Sequence, residues 1–205
     1  MHMSSMYSDE AWSPSGAMHM DFRNLDGTTC YCDETAEKGI IDAIKGLPLN
    51  ALHWIDGGDY HYLSALWLRR LTRPTRLVLI DNHPDDQEPA FDKGLLSCGG
   101  WIAHSRRTNP FLDDSSDHVY LSIDLDWLSP EFARTNWNQG KASLEDLLHK
   151  IEESLDGKEL TAVDICGGIT CSQGGRAEDF AINRRTRQSL QDYFKGIWPD
   201  PHSSV

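Results

Sequence analysis

Two short motifs in this chain could do chemistry. Asp81-Asn82-His83-Pro84-Asp85 follows the apolar run Leu77-Val78-Leu79-Ile80, and Ser122-Ile123-Asp124-Leu125-Asp126 closes a second apolar run. Just beyond a strand, residues two apart can face the same way, so Asp81, His83 and Asp85 can converge on one point. Asp124 and Asp126 form a similar pair. Carboxylates joined by an imidazole suit a divalent first-row metal that prefers oxygen and nitrogen ligands. A third acid, Asp164, follows Thr161-Ala162-Val163. Ligands of open parallel sheets bind beyond the carboxyl ends of the strands, so acids at three such ends would share a pocket. That concentration of negative charge is costly unless cations neutralise it. Each motif alone reads equally well as a polar strand end; both behind apolar strands in one modest chain is a much stronger signal.

The elements that must position these residues alternate between strand and helix, the pattern of a parallel sheet covered on both faces. Strands are expected over 17–22, 51–55, 76–80, 119–125 and 160–165. A helix capped by Asp33 should run to about Leu47, with Ile40, Ile41 and Ile44 on one face and Pro48 beyond it. A second helix is expected over 60–71. Ser143 with Asp146 makes a capping box for a third, which Gly157 ends. The last should cover 178–194. Between Asp85 and His118 the signals are weak, and Pro89, Gly94, Gly99-Gly100 and Pro110 indicate mostly loop. The expected fold class is therefore α/β.

The 205 residues suit one domain. Residues 1–16 are read as a flexible N-terminal segment, and 17–205 as the domain. Met1 to Met6 carry neither Lys nor Arg and no apolar core, unlike a secretory signal. No apolar run approaches the roughly 20 residues that span a bilayer, so no membrane association is expected. The net charge of −13 argues against broad nucleic-acid binding. Five scattered cysteines, an odd number, fit reduced thiols in a cytoplasmic protein.

On these motifs the chain resembles the ureohydrolase superfamily, which includes arginase, agmatinase and formiminoglutamase. That family carries GGDH, DxHxD and SxDxD in this order. The counterparts here are Gly57-Gly58-Asp59-Tyr60-His61, Asp81 to Asp85 and Ser122 to Asp126, within a resemblance that runs from about Leu52 to Ile165. It implies a three-layer α/β/α arginase-like fold and two manganese ions. By position, Asp81 and Asp124 would bridge both ions, Asp85 and His61 would complete one, and His83 and Asp126 the other.

The resemblance also implies a chemistry. Two ions about 3.5–4 Å apart hold a bridging water as hydroxide at neutral pH. The hydroxide would attack the carbon of a guanidino or amidino group, cleaving a C–N bond in a small molecule or a peptide. The leaving nitrogen needs a proton. His104 is the nearest candidate shuttle in sequence, although the family's position falls closer to Cys98. Two readings compete: a single-zinc amidohydrolase resembling histone deacetylases, which would not need both Asp85 and Asp126, and a non-catalytic metal-binding member. A homo-oligomer is compatible with any of these.

The chain departs from the family pattern at four places. Tyr60 stands between Asp59 and His61, the stretch between the two main motifs is short, and Ser129 replaces the usual aspartate before Pro130. Gly167 occupies the position of the family's substrate-recognising glutamate, with Glu178 or Asp179 as possible substitute anions. Elsewhere, His53 reads as a core histidine, and His118 and His149 as surface residues. His19 and Asp21, at the end of the expected first strand, could approach the site. Cys30, Cys98 and Cys166 could line the pocket, while Cys32 lies too close to Cys30 for a zinc-knuckle spacing. Tyr60, Tyr62 and Trp67 read mainly as packing, and Arg184, Arg185 and Arg187 as a solvated helix face.

Overall fold

The computed structural model describes residues 1–88 and 94–197. In chain order the elements are α1 (Met6–Asp9), β1 (Tyr31–Cys32), α2 (Glu34–Ile44), β2 (Leu52–Trp54), α3 (Leu63–Leu68), β3 (Arg76–Ile80), β4 (Leu96–Ser97), α4 (Trp101–Thr108), β5 (His118–Asp124), α5 (Leu144–Leu155), β6 (Glu159–Cys166) and α6 (Ala177–Ile197). The central sheet has the order β2-β6-β5-β3 and every pair in it is parallel. A small antiparallel pair, β1 with β4, stands apart from it.

Alternation along the strands divides the core into two layers. Val119, Leu121 and Ile123 of β5, with Val163 and Ile165 of β6, join Leu147 and Ile151 of α5 and Leu190 and Phe194 of α6. Tyr120, Ala162 and Cys166 point the other way, toward Ile40 and Ile44 of α2, Leu63 and Leu66 of α3, and Trp101 of α4. The result is the expected α/β/α stack, with both faces of the sheet buried as the continuous apolar strands require. The capping predictions hold. Asp33 accepts from the Ala36 N–H, and Ser143 and Asp146 form a reciprocal box. Gly157 follows α5 with φ of +65°, a left-handed conformation that glycine adopts at little cost.

The structure differs from the sequence reading in several places. No strand forms over 17–22; only an isolated bridge joins Asp21 to His2. The loop-like stretch after Asp85 contains α4, whose Trp101 is fully buried. Pro89, read as part of that loop, lies outside the described residues. The N-terminal segment is docked: Met1, Met3, Met6, Tyr7, Glu10 and Trp12 are all buried. Arg187, expected on a solvated face, is buried as the ion-pair partner of Glu10, with Nε to Oε2 at 2.8 Å. Its guanidinium also lies over the rings of Tyr7, Trp12 and Trp54. A polar residue every third or fourth position looks solvated in a helical pattern, and only the docked arm reveals that this one is covered. Among the described residues no helix is long and apolar enough to cross a membrane.

Candidate metal centre

Register brings the acids together. Ile80 pairs with Ile123, which sets Asp81 and Asp124 side by side where β3 and β5 end. Asp124 in turn pairs with Cys166 of β6. Ser122, one pleat below, pairs with Asp164. Asp164 therefore lies too deep for the site, which corrects the expectation that it joins the pocket. Its carboxylate bonds instead to His53 Nδ1 at 2.8 Å and accepts from the Tyr120 hydroxyl at 2.6 Å. His53 stacks on Trp67 with ring centroids 3.7 Å apart and belongs to the core, as expected.

His61 arrives from a 3-10 turn, Gly58–Tyr60, which absorbs the extra Tyr60 of the third motif and still aims the histidine inward. Its Nε2 is fixed by the Ser122 hydroxyl at 2.9 Å. Its Nδ1 lies 3.0 Å from Asp85 Oδ2, 3.1 Å from Asp81 Oδ2 and 3.6 Å from Asp124 Oδ2. None of these oxygens makes a hydrogen bond to that buried nitrogen. Proximity without alignment is the relation expected of neighbouring ligand atoms around a cation, rather than of a donor and its acceptor.

A second group adjoins the first. His83 Nδ1 is 2.8 Å from Asp126 Oδ2 and 3.5 Å from Asp81 Oδ1. Asp81 thus turns one oxygen toward each histidine. The clusters His61-Asp81-Asp85 and Asp81-His83-Asp126 each bring ligand atoms within 4.8 Å of one another, and so does a third, His61-Asp124-Cys166. All six residues expected as ligands are in these groups. His83 is the most open, with 30 % of its side chain exposed, and marks the side from which the centre is reached.

The electrostatics are those of a site short of positive charge. Burial, then the charge of Asp81, pushes Asp124 up to about 6. Burial, then Asp124 and Asp81, pushes Asp126 up to about 9. Burial also works against ionisation of Asp81, but His61 outweighs it and lowers this one carboxyl. Burial opposes charge on His61, and the surrounding Cys166, Asp81 and Asp85 raise it well above its usual value all the same. Carboxylates this close cannot all ionise without cations between them.

Sequence reasoning missed two supporting residues. Trp101 donates its Nε1–H to Asp85 Oδ2 at 2.7 Å and sets its ring 4.9 Å from that of His61. The only local signal was a large aromatic directly after Gly99-Gly100, where α4 begins. Cys166, weighed only as a lining residue, donates its thiol to Asp124 Oδ2 at 2.9 Å. Gly167 follows it with φ of +100°, and a Cβ there would lie 2.6 Å from Asp124 Oδ1. No side chain fits at this position unless the carboxylate and the Leu125 backbone, whose nitrogen would lie 2.9 Å away, both move.

Other candidates fall elsewhere. The structure does not bring His104 to the centre: its Nε2 lies 3.2 Å from Arg69, which pairs with Glu37, and none of the six ligand candidates is among its partners. Burial, then Arg69, lowers its pKa. Cys98 is nearer to Asp85, but its thiol is pushed up to about 12, first by burial and then by Cys30, Asp85 and Asp59. His19 bonds to His2 and Ser13, and Asp21 to Arg23. His118 and His149 face Glu159 and Glu153 at the surface. Asp179 is held by the Arg176 N–H and faces Arg134, while Glu178 is exposed in the first turn of α6.

Comparison with solved structures identifies the fold as that of the ureohydrolases. A hypothetical agmatinase from Burkholderia thailandensis superposes with a TM-score of 0.60 at 18 % identity, covering 82 % of this chain and 69 % of its own. Arginase from Entamoeba histolytica, solved with L-ornithine, gives 0.56 at 18 % identity, covering 78 % and 76 %. Arginase from Medicago truncatula gives 0.57 at 14 % identity, covering 78 % and 64 %. In sequence, an uncharacterised protein of Thermotoga maritima is 30 % identical over 142 residues. The match spans 56 % of either chain, so little more than half of that relative is represented. No family model matches the chain.

Proposed function

We propose that this chain is a member of the ureohydrolase superfamily and a two-metal hydrolase, with manganese as the expected metal, that cleaves a C–N bond of a guanidino or amidino substrate. The observation that carries this reading is Asp81, whose two oxygens serve two adjoining ligand groups, each completed by one histidine and one further aspartate. A single-zinc site has no use for Asp85 and Asp126 together, yet both are drawn into the clusters. His61, Asp81 and Asp85 would hold one ion and Asp81, His83 and Asp126 the other, with Asp124 shared between them. When bound, such a pair activates a water and polarises the carbon under attack.

The protein's own contribution is to orient the ligands. Ser122 fixes the tilt of the His61 ring, Trp101 orients Asp85, and the Asp126 N–H and the Cys166 thiol hold Asp124. Gly167 and Gly168 offer no side chain that could grip a guanidinium. Free arginine should therefore be a poor substrate, because a charge-assisted hydrogen bond is usually worth about 1.5–3 kcal/mol.

Metal analysis joined to a screen for urea or ammonia release over guanidino compounds, with manganese added, tests this reading. Two ions per chain are expected, with Asp124→Asn losing metal and turnover together, since an amide cannot supply the anionic bridge. His149→Ala, on the exposed face of α5, should change neither. One zinc per chain, or full metal occupancy in Asp124→Asn, would overturn the assignment. Metal without turnover of any guanidino compound would mark a non-catalytic member.

A further inference from the structure

We propose that Trp137 is the residue that recognises the planar cationic end of the substrate, an inference that rests on the function proposed above. In a loaded site the four aspartates would be engaged as metal ligands, leaving none of them free to grip a guanidinium. The turn at Gly167 cannot supply that grip either, because a Cβ there already collides with Asp124. The recognising group must come from another element beside the ligands.

Trp137 is that group by position. Among the described residues it is one of five large apolar side chains left exposed, at 40 %. Its ring stands 5.7 Å from His83 at an interplanar angle of 70°, on the open side of the centre. Its Cδ1 edge lies over Gly58, where a Cβ would come within 2.8 Å of it and within 3.3 Å of Asp124 Oδ2. The indole is thus separated from the ligand carboxylate by no more than one glycine. Its loop is fastened to the very turn that lacks a side chain, through Asn136 N–H to the Gly168 carbonyl at 3.3 Å.

An exposed indole would ordinarily be free to turn away, but this one is pinned. Its Nε1–H donates to Asp59 Oδ1 at 2.9 Å. Asp59 is itself held by Asn136 Nδ2 at 3.1 Å and Gln173 Nε2 at 3.2 Å. Among the described residues no Lys or Arg pairs with Asp59. Its negative charge therefore acts through the indole N–H, enriching the face of the ring that already attracts cations. A flat guanidinium or amidinium matches that face in shape as well as in charge. The ring selects planar cations over uncharged planar groups.

The test titrates the full-length, metal-loaded protein with methylguanidinium chloride, using zinc as a diamagnetic ion, and follows the ligand methyl signal by NMR. The indole N–H of Trp137, identified by its loss in Trp137→Phe, should shift saturably with methylguanidinium and much less with methylurea, its uncharged planar counterpart. Trp137→Leu should weaken binding roughly five- to thirtyfold, and Trp137→Phe by less, with metal content equal to that of the parent in both. An unmoved Trp137 indole overturns the proposal, and so does unchanged affinity in Trp137→Leu. If the hydrolase reading alone were wrong, methylguanidinium would still bind at Trp137 while no guanidino compound turned over.

Discussion

At the scale of single residues, Gly167 and the paired acids define what the centre tolerates. Gly167→Ala places a Cβ on Asp124 and forces an L-residue to hold a φ of +100°. Backbone strain of this kind costs about 1–3 kcal/mol, so the variant should melt lower and bind manganese more weakly than the parent, as calorimetry and metal titration would record. The paired acids predict a pH dependence. In metal-free protein the folded pKa values of Asp124, about 6, and Asp126, about 9, lie above their usual 3.8. Between pH 4 and 9 the folded state then holds more protons than the unfolded one, and stability falls as pH rises. Manganese keeps the carboxylates ionised and removes that slope. The gap in melting temperature between manganese-loaded and chelator-treated protein should accordingly widen from pH 6 to pH 8; a constant or narrowing gap would contradict it.

At the scale of elements, two pieces of chain brace the site without contributing ligands. α4 presents Trp101 to Asp85, and the backbone follows, with Ile102 N–H donating to the Asp85 carbonyl at 2.9 Å. The N-terminal arm braces the other side. Asp56 accepts from Met3 N–H, Ser4 N–H and the Ser4 hydroxyl, while its carbonyl accepts from Gly167 N–H at 3.1 Å. Arg187 donates from Nη2 to the Gly167 carbonyl at 2.5 Å and is paired with Glu10. Both members of that pair are fully buried, so removing one strands the other's charge in the core. Glu10→Ala should lose about 3–5 kcal/mol of unfolding free energy in urea. Adding Arg187→Met to it should restore part of the loss, because the stranded charge is gone. If the double variant were no more stable than the single one, the ion pair would not be the source of the effect.

At the scale of the whole molecule, the centre joins three loops, two of which bring together aspartates that repel one another. Ligands come from the turn after β2, the end of β3 and the end of β5, so a bound ion ties three of the four sheet strands together. Binding linked to the folded state stabilises by about 2.7 kcal/mol when free metal is a hundredfold above its dissociation constant. For a chain of this size that is roughly 5–10 °C in melting temperature. Chelation should produce a drop of this order, reversed by manganese and not by monovalent salt. An unchanged melting temperature after verified metal removal would mean the acids are not one site.

Much of this protein was fixed by local pattern. Apolar runs of strand length ending in Asp81 and Asp124 identified both the sheet and the edge where the ligands gather, because strand periodicity and the parallel topology leave few alternatives. Caps such as Asp33 and Ser143 were legible for the same reason: each satisfies helix-end N–H groups within three residues of itself. Three things required the tertiary structure. Asp164 resembles the other strand-end acids in sequence, and only the register with Ser122 shows it to be one pleat too deep. Arg187 resembles its solvated neighbours, and only the docked arm buries it against Glu10. Trp137 lies in a loop without periodicity, and its place beside His83 follows from its own contacts with Gly58 and Asp59 and from the bond of Asn136 to Gly168, all distant in the chain. Short-range hydrogen bonding and side-chain alternation are written in adjacent residues, whereas depth in a sheet and neighbours across loops depend on how separate segments meet.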